Sequence, residues 1–415
     1  MSPYDFPEPP INQVDCDPSA YPVSVKECSA YGFSEDCQSG LNFGSTLQFA
    51  GSGAMPCVDV RNTARESHRP LRVGHVGQFL MRGGIEMWLK GLIRHTQPDH
   101  LTFVRCVATS SHYWDPRVAA ELGVAVEIGG ADSVRRLAAD CDVLLCSGPA
   151  ETAEWLAECR PKLTVFVAHG NAQPYRALLE RCGPIVDHVV AVSNGVRDQI
   201  CMGFPCTVIP NGVDVAHIAP SRSRAEVRHS LGFAPEDFVL GYVGRFSWEK
   251  RPRTIIEAVA LLPPRFKALL VGWGDERQQL LELANQRIPG RYAIVEGDRN
   301  VGDYYQGLDA ACLPSEWEGF GLVVIEAMFA ERVVIARPVG CIPDAINDRV
   351  NGLVVSGDPQ SFAAAASLVE AHPQWANGVA REGRRYADLY GHARQMSARY
   401  EELLSRLWLQ TQSRV

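Results

Sequence analysis

From Leu71 onward the apolar positions fall into short runs separated by stretches with helical spacing. Leu71–Val76 is the first run and reads as a strand. Gly84 to His95 follows, with Ile85, Trp88, Leu89, Leu92 and Ile93 at i, i+3 and i+4 intervals, the signature of a helix with one apolar face. Further strands are expected at 101–108, 143–146, 163–168 and 188–192. A second series opens with Phe238–Val243. It continues near 267–271, 292–296, 309–313, 332–336 and 352–355, with helices after Pro252 and over 322–330. The stretch from about Pro373 to Leu409 reads as helical. Strands that alternate with helices predict parallel α/β domains. The chain therefore divides into residues 71–213, a second α/β domain over 214–385, and a closing helical segment, 386–415. No internal repeat is evident.

Residues 1–70 differ. They are rich in Pro, Ser, Asp and Gly and show little periodicity, so they read as a poorly ordered extension or a start site placed too early. Cys16, Cys28, Cys37 and Cys57 fall here at spacings that match no zinc template.

Composition narrows the class. At 415 residues the chain can hold two or three domains, and 46% hydrophobic with 21% charged residues is ordinary for a soluble enzyme. A net charge of −8 argues against a general nucleic-acid binder. No apolar run approaches the ~20 residues that span a bilayer. No basic segment followed by an apolar one suggests a secretory signal. The 13 cysteines are scattered, and Cys106, Cys146 and Cys312 lie in expected core strands. Reduced thiols in a cytoplasmic protein are the simplest account.

The chemistry concentrates at one junction. The strand ending at Leu313 runs through Pro314-Ser-Glu-Trp-Glu-Gly-Phe-Gly321 into a helix that begins at Leu322. Such a junction presents free backbone N–H groups and the positive end of a helix dipole, which suit phosphate. Glu318 and Glu326, with seven residues between them, suit hydroxyls instead. A ligand with both phosphates and sugar hydroxyls, a nucleotide-sugar, satisfies both. Arg245 and Lys250 follow the strand ending at Val243 and could face the charge of a departing nucleotide. A solvated basic loop is the competing account, since Glu249 and Arg251 are also charged. His169 ends the run Leu163–Ala168, where a strand-tip imidazole can make one hydrogen bond near neutral pH. Gly83 and Gly84 precede a helix and permit close approach of a phosphate or an acceptor, or simply a tight turn.

Glu318-Gly-Phe-Gly-Leu-Val-Val-Ile-Glu326 resembles the E-x7-E signature of retaining GT-B glycosyltransferases of family 4, whose two Rossmann-like parallel-sheet domains face each other across a cleft. The resemblance extends to Gly83–Glu86, Val167–Gly170, Ile209–Asp214, Gly244–Pro252, Val339–Ile346 and Asn351–Val355, and covers roughly residues 71–400. It implies sugar transfer from a nucleoside diphosphate sugar to a saccharide, lipid-linked or small-molecule acceptor, with retention and without a metal or other cofactor. It further implies that a terminal helix crosses back to the first, acceptor domain. His169, Arg245, Lys250 and Glu318 would be catalytic. Gly83, Gly84, Gly244, Phe320, Gly321, Leu322 and Glu326 would bind the donor, with Glu326 on the ribose and Glu318 on the sugar. The base would sit near Asp298–Val301. The chain departs from the family at Gly340-Cys341, Asp344 and Trp273.

Other strings point elsewhere. Asp15-Cys-Asp17 and Asp140-Cys-Asp142 have the form of metal-binding D-x-D motifs, but both read as solvent-facing. Gly272-Trp-Gly274 lacks the third Gly of a dinucleotide fingerprint. Ser193 and Asn211-Gly212 read as connector chemistry. Basic Arg82, Lys90 and Arg94 are compatible with peripheral contact at the cytoplasmic membrane face, although a solvated helix face is simpler. Two other function classes are an epimerase or phosphorylase on the same fold, and a degenerate nucleotide-sugar-binding module.

Overall fold

The structure is a computed structural model that describes residues 69–78, 80, 83–111, 115–147, 151–159, 161–170, 176, 179–181, 183–201, 203–297 and 300–413. Residues 1–68 of the N-terminal extension, with its four cysteines and its D-x-D string, Arg82 and Asp298 lie outside these residues.

Two parallel sheets organise the chain. The first has the order β3-β2-β1-β4-β5-β6-β7, from β1 (Leu71–Gly77), β2 (Leu101–Ala108), β3 (Val126–Ile128), β4 (Val143–Cys146), β5 (Thr164–Ala168), β6 (His188–Ala191) and β7 (Cys206–Val208). The second has the order β10-β9-β8-β11-β12-β13, from β8 (Phe238–Val243), β9 (Phe266–Val271), β10 (Tyr292–Val295), β11 (Ala310–Leu313), β12 (Val333–Ala336) and β13 (Leu353–Val354). Every pairing between these strands is parallel. The central strands are buried along almost their whole length, β4, β5 and β6 completely, because helices cover both faces. β3 and β7 are the strands that the apolar pattern does not announce. Each is three residues long and only partly buried.

Both sheets reverse strand order once, between β1 and β4 in the first and between β8 and β11 in the second. Ligands of open α/β sheets bind outside the carboxyl ends of the strands at such switch points. This fold is the GT-B architecture, two Rossmann-like sheets.

The chain crosses between the sheets twice, side by side. Val213 N donates to Gly391 O (2.7 Å) and Ala393 N donates to Val213 O (3.0 Å). Helix Pro373–Tyr390 packs on helix Leu322–Phe329 of the second sheet, and helix Ala393–Gln412 packs on helix Gly84–His95 of the first. The Asn211-Gly212 pair is more than a turn. A Cβ on Gly212 would lie 2.5 Å from His392 O and 2.6 Å from the Ala393 backbone, so only glycine lets the crossings touch.

Asp140-Cys-Asp142 corrects one expectation. Asp142 is buried rather than solvent-facing, and it binds Arg69, the Arg72 N–H and Lys162. Burial pushes its carboxyl up, but these partners prevail and hold it well below the usual range. Asp140 is exposed and pairs with Arg105 (2.8 Å). Lys90 pairs with Glu121 (2.6 Å) and Arg94 with Asp214 (2.8 Å), so this helix face is internally compensated. Among the described residues no helix is long and apolar enough to cross a membrane.

Gly212→Ala should destabilise the protein by about 1–3 kcal/mol, since the obstructing atoms are backbone. The check is the urea midpoint. An unchanged midpoint would show that the crossings separate without cost.

Candidate active site

The loops at the second switch point bring the cations into place. Gly244, at the end of β8, has φ 151°, and Arg245 follows it. Arg245 is not a free cation. Its Nη2 lies 2.5 Å from Glu249 Oε1, which also accepts from Ser247 Oγ (2.8 Å). Burial pushes the Glu249 carboxyl up, but Arg245 and hydrogen bonds from its own backbone and Ser247 outweigh it, and the net shift is downward. Lys250 Nζ lies 2.8 Å from Glu318 Oε1 and 5.4 Å from the Trp317 ring centroid. Glu316 N donates to Glu249 O (2.7 Å), which ties the loops after β8 and β11 together.

The loop after β11 carries the paired carboxylates. Buried Ser315 donates to Glu318 Oε1 (2.8 Å), so that oxygen takes both the hydroxyl and the Lys250 ammonium. Phe320 is buried, and Gly321 caps the helix Leu322–Phe329 in the left-handed region (φ 93°) with no side-chain cap. Val324 N already donates to Gly321 O (3.0 Å), which leaves the Leu322 and Val323 N–H groups for a ligand. Glu326 is buried one turn further in. Burial raises its pKa, and the hydrogen bond from Tyr305 Oη (2.8 Å) opposes the rise.

From the first sheet come Gly83, Gly84 and His169. Gly83 caps helix Gly84–His95, and a Cβ on Gly84 would lie 3.8 Å from Leu322 Cδ1, so two helix N-termini meet across the cleft. His169 follows β5, and its Nε2 is buried without a hydrogen-bond partner among the described residues. Burial pushes its pKa down to about 3, with a smaller push from His75. His75, in β1, is likewise pushed down to about 4 by burial, and its Nε2 is 2.9 Å from Ser147 Oγ.

The two halves join at backbone level. A Cβ on Gly319 would lie 1.7 Å from His169 O, so the Glu318 loop runs directly against the end of β5. Gly319 O accepts from Ser193 Oγ (2.8 Å), which makes Ser193 a joint between domains as well as a helix cap. Asp344 accepts from Asn194 N (3.1 Å) and Nδ2 (2.9 Å). Cys341 is buried and its N–H donates to Phe320 O (2.9 Å). The departures at 341 and 344 thus sit on the loop that closes the joint.

The geometry gathers Arg245, Lys250, Glu318, Phe320, Gly321, Leu322 and Glu326 around one switch point, with His169 and Gly84 facing them. Sequence reasoning missed Tyr305, Ser315, His75 and Ser193 as site partners. Ser315 stands three residues before Glu318 in the same loop and could have been read from that spacing. Tyr305 lies 21 residues before Glu326 and gives no local signal.

Two family models match the chain in tandem: "Glycosyltransferase Family 4" over residues 88–217 and "Glycosyl transferases group 1" over 223–386. The chain belongs to the family 4 type of GT-B glycosyltransferases. Among its curated relatives are a lipopolysaccharide core biosynthesis mannosyltransferase of Rhizobium meliloti and a D-inositol 3-phosphate glycosyltransferase of Actinosynnema mirum. The first is 29% identical over 53% of this chain and 66% of the relative, the second 34% over 46% and 48%. The chain thus matches about half to two-thirds of the length of these relatives. Solved structures share the fold at low identity. Anabaena HepE in complex with UDP-glucose aligns with TM-score 0.73 and 18% identity over 81% of this chain and all of that one. Sucrose-phosphate synthase of Thermosynechococcus elongatus aligns at 0.68 and 18% over 82% and 99%.

The buried histidines set a pH dependence. Unfolded histidines titrate near 6.5, whereas the native rings resist protonation down to about 4 and about 3. Between these values the unfolded chain binds protons that the native state does not, so stability falls as pH drops from 6.5 toward 4. The melting temperature should fall across that window, and more shallowly in His169→Gln. Equal slopes would mean that His169 is not held as a buried neutral ring.

Proposed function

We propose that the chain transfers a sugar from a nucleoside diphosphate sugar to a saccharide, lipid-linked or small-molecule acceptor, with retention of anomeric configuration. The observation that carries this reading is the convergence of Arg245, Lys250 and Glu318 at the β8/β11 switch point, directly against the end of β5 with His169. As the glycosidic bond breaks, negative charge gathers on the departing diphosphate. Arg245 and Lys250 are the fixed cations that stabilise it, assisted by the uncapped helix start after Gly321. Lys250 leaves Glu318 for phosphate, and Glu318 then accepts hydroxyls of the transferred sugar. Buried Glu326, steadied by Tyr305, takes the ribose hydroxyls. His169 supplies its unpartnered nitrogen to the transferred sugar. With two cations in place the reaction takes no metal. The complexes of HepE with UDP and UDP-glucose support a uridine donor. The names of the curated relatives support a polyol or glycan acceptor, and hence polysaccharide or glycoconjugate biosynthesis.

A screen of UDP-, GDP- and ADP-sugars by thermal shift and product analysis tests the reading. One donor should stabilise the protein and turn over with EDTA present, and the anomeric proton of the product should show retention. Lys250→Ala should lower kcat by about 10²–10³, roughly 2.7–4 kcal/mol. Glu326→Ala should chiefly weaken donor binding. A folded protein that binds no donor, or an inverted product, would overturn it.

A further inference from the structure

Trp88 lies at the centre of a buried cluster that the proposed reaction does not otherwise use. The side chain is fully buried on helix Gly84–His95, one turn after the Gly84 that faces Leu322. Its indole meets the His169 ring edge-on, with centroids 4.5 Å apart and planes at 67°. The His75 ring lies 5.9 Å away, itself tied to Ser147, and the Tyr400 ring lies 5.8 Å away. Tyr400 belongs to the returning helix Ala393–Gln412, which is pinned on both sides of it. Ser397 Oγ reaches Gly91 O and Leu92 O (3.4 and 3.3 Å), and Glu401 accepts from Gln97 N (2.6 Å) and pairs with His100 Nδ1 (2.8 Å). Among the described residues His169 Nε2 has no hydrogen bond to orient its ring, and the ring is set by its packing.

We propose that Trp88 is a positioning residue that fixes the His169 imidazole, and that Tyr400 buttresses Trp88, so that the helix returning from the second domain sets the geometry of the transfer site. The consequence for turnover rests on the proposed role of His169 at the transferred sugar. The effect belongs to kcat. Arg245, Lys250 and Glu326, the groups proposed to hold the nucleotide, lie in the other domain and do not touch the indole. A misplacement of about 1 Å at a reacting group costs up to about a hundredfold in rate.

The test compares Trp88→Leu, Trp88→Phe, Tyr400→Leu and Tyr400→Phe in the full chain. Two readouts need no turnover: the imidazole Cε1–H NMR signal of His169, assigned through His169→Gln, and the Kd of UDP by calorimetry. In Trp88→Leu the His169 signal should move, kcat should fall about tenfold to a hundredfold, and the donor KM and UDP Kd should stay within twofold. Tyr400→Leu should repeat this more weakly, and Tyr400→Phe, which keeps the ring, should match wild type. An unmoved His169 signal in Trp88→Leu overturns the proposal. So does a moved signal with unchanged kcat, or a loss of UDP affinity in step with kcat. If Trp88→Leu does not fold, Trp88→Phe and Tyr400→Leu carry the same comparison. If no donor turns over, the transferase reading falls, and the His169 signal alone decides whether Trp88 holds the ring.

Discussion

The site depends on the contact between Gly319 and the carbonyl of His169. A side chain at 319 would need its Cβ 1.7 Å from that oxygen, so the spacing between the Glu318 loop and the end of β5 is fixed by main-chain dimensions. Side-chain packing tolerates shifts and repacking, whereas a backbone contact of this kind has one distance. Ser193 reinforces it with a hydrogen bond to Gly319 O, and Asp344 with two from Asn194. The crossing at Val213 and Gly391 is a second backbone contact between the halves. Between them these contacts place two switch points, formed by residues far apart in sequence, around one space.

Within that space each cation already has a carboxylate. Arg245 pairs with Glu249, and Lys250 with Glu318. Partly buried ion pairs are weak contributors to stability, because desolvation offsets much of the attraction. Their value here is that they keep the loops compact without a ligand. On the proposed reading, an incoming diphosphate displaces a carboxylate from Lys250, and Glu318 becomes an acceptor for hydroxyls. Arg245 differs, because Glu249 is buried and also held by Ser247. That carboxylate stays in place and orients the guanidinium.

The fold was legible because buried parallel strands write themselves as apolar runs. β1, β4, β5, β6, β8, β9, β11 and β12 each show one, whereas β3 and β7 are short, half-exposed edges whose sequences alternate too little to be told from loop. The second-domain candidates were legible because Gly244–Lys250 and Glu318–Glu326 are contiguous motifs. What stayed hidden depends on contacts between distant segments. Tyr305 reaches Glu326 across 21 positions, and Ser193 reaches Gly319 across 126. Asp142 looked like half of a surface metal motif, but Arg69 and Lys162 converge on it only when the chain folds.

The two domains divide the electrostatic work. The second offers charge: two cations, a helix dipole and the Glu318 carboxylate. The first offers neutral, desolvated groups, since His75 and His169 both resist protonation because of burial. In glycosyl transfer from a diphosphate the leaving group becomes negative while the sugar carbon becomes positive. A protonated imidazole beside that carbon would oppose the reaction, and a solvated one would admit water to compete with the acceptor. A ring buried against Trp88 avoids both faults. Burial holds it neutral well below the usual histidine range, and its ring packs edge-on against the indole. On the proposed reading, the neutrality of the first domain is therefore as much a part of the chemistry as the cations of the second.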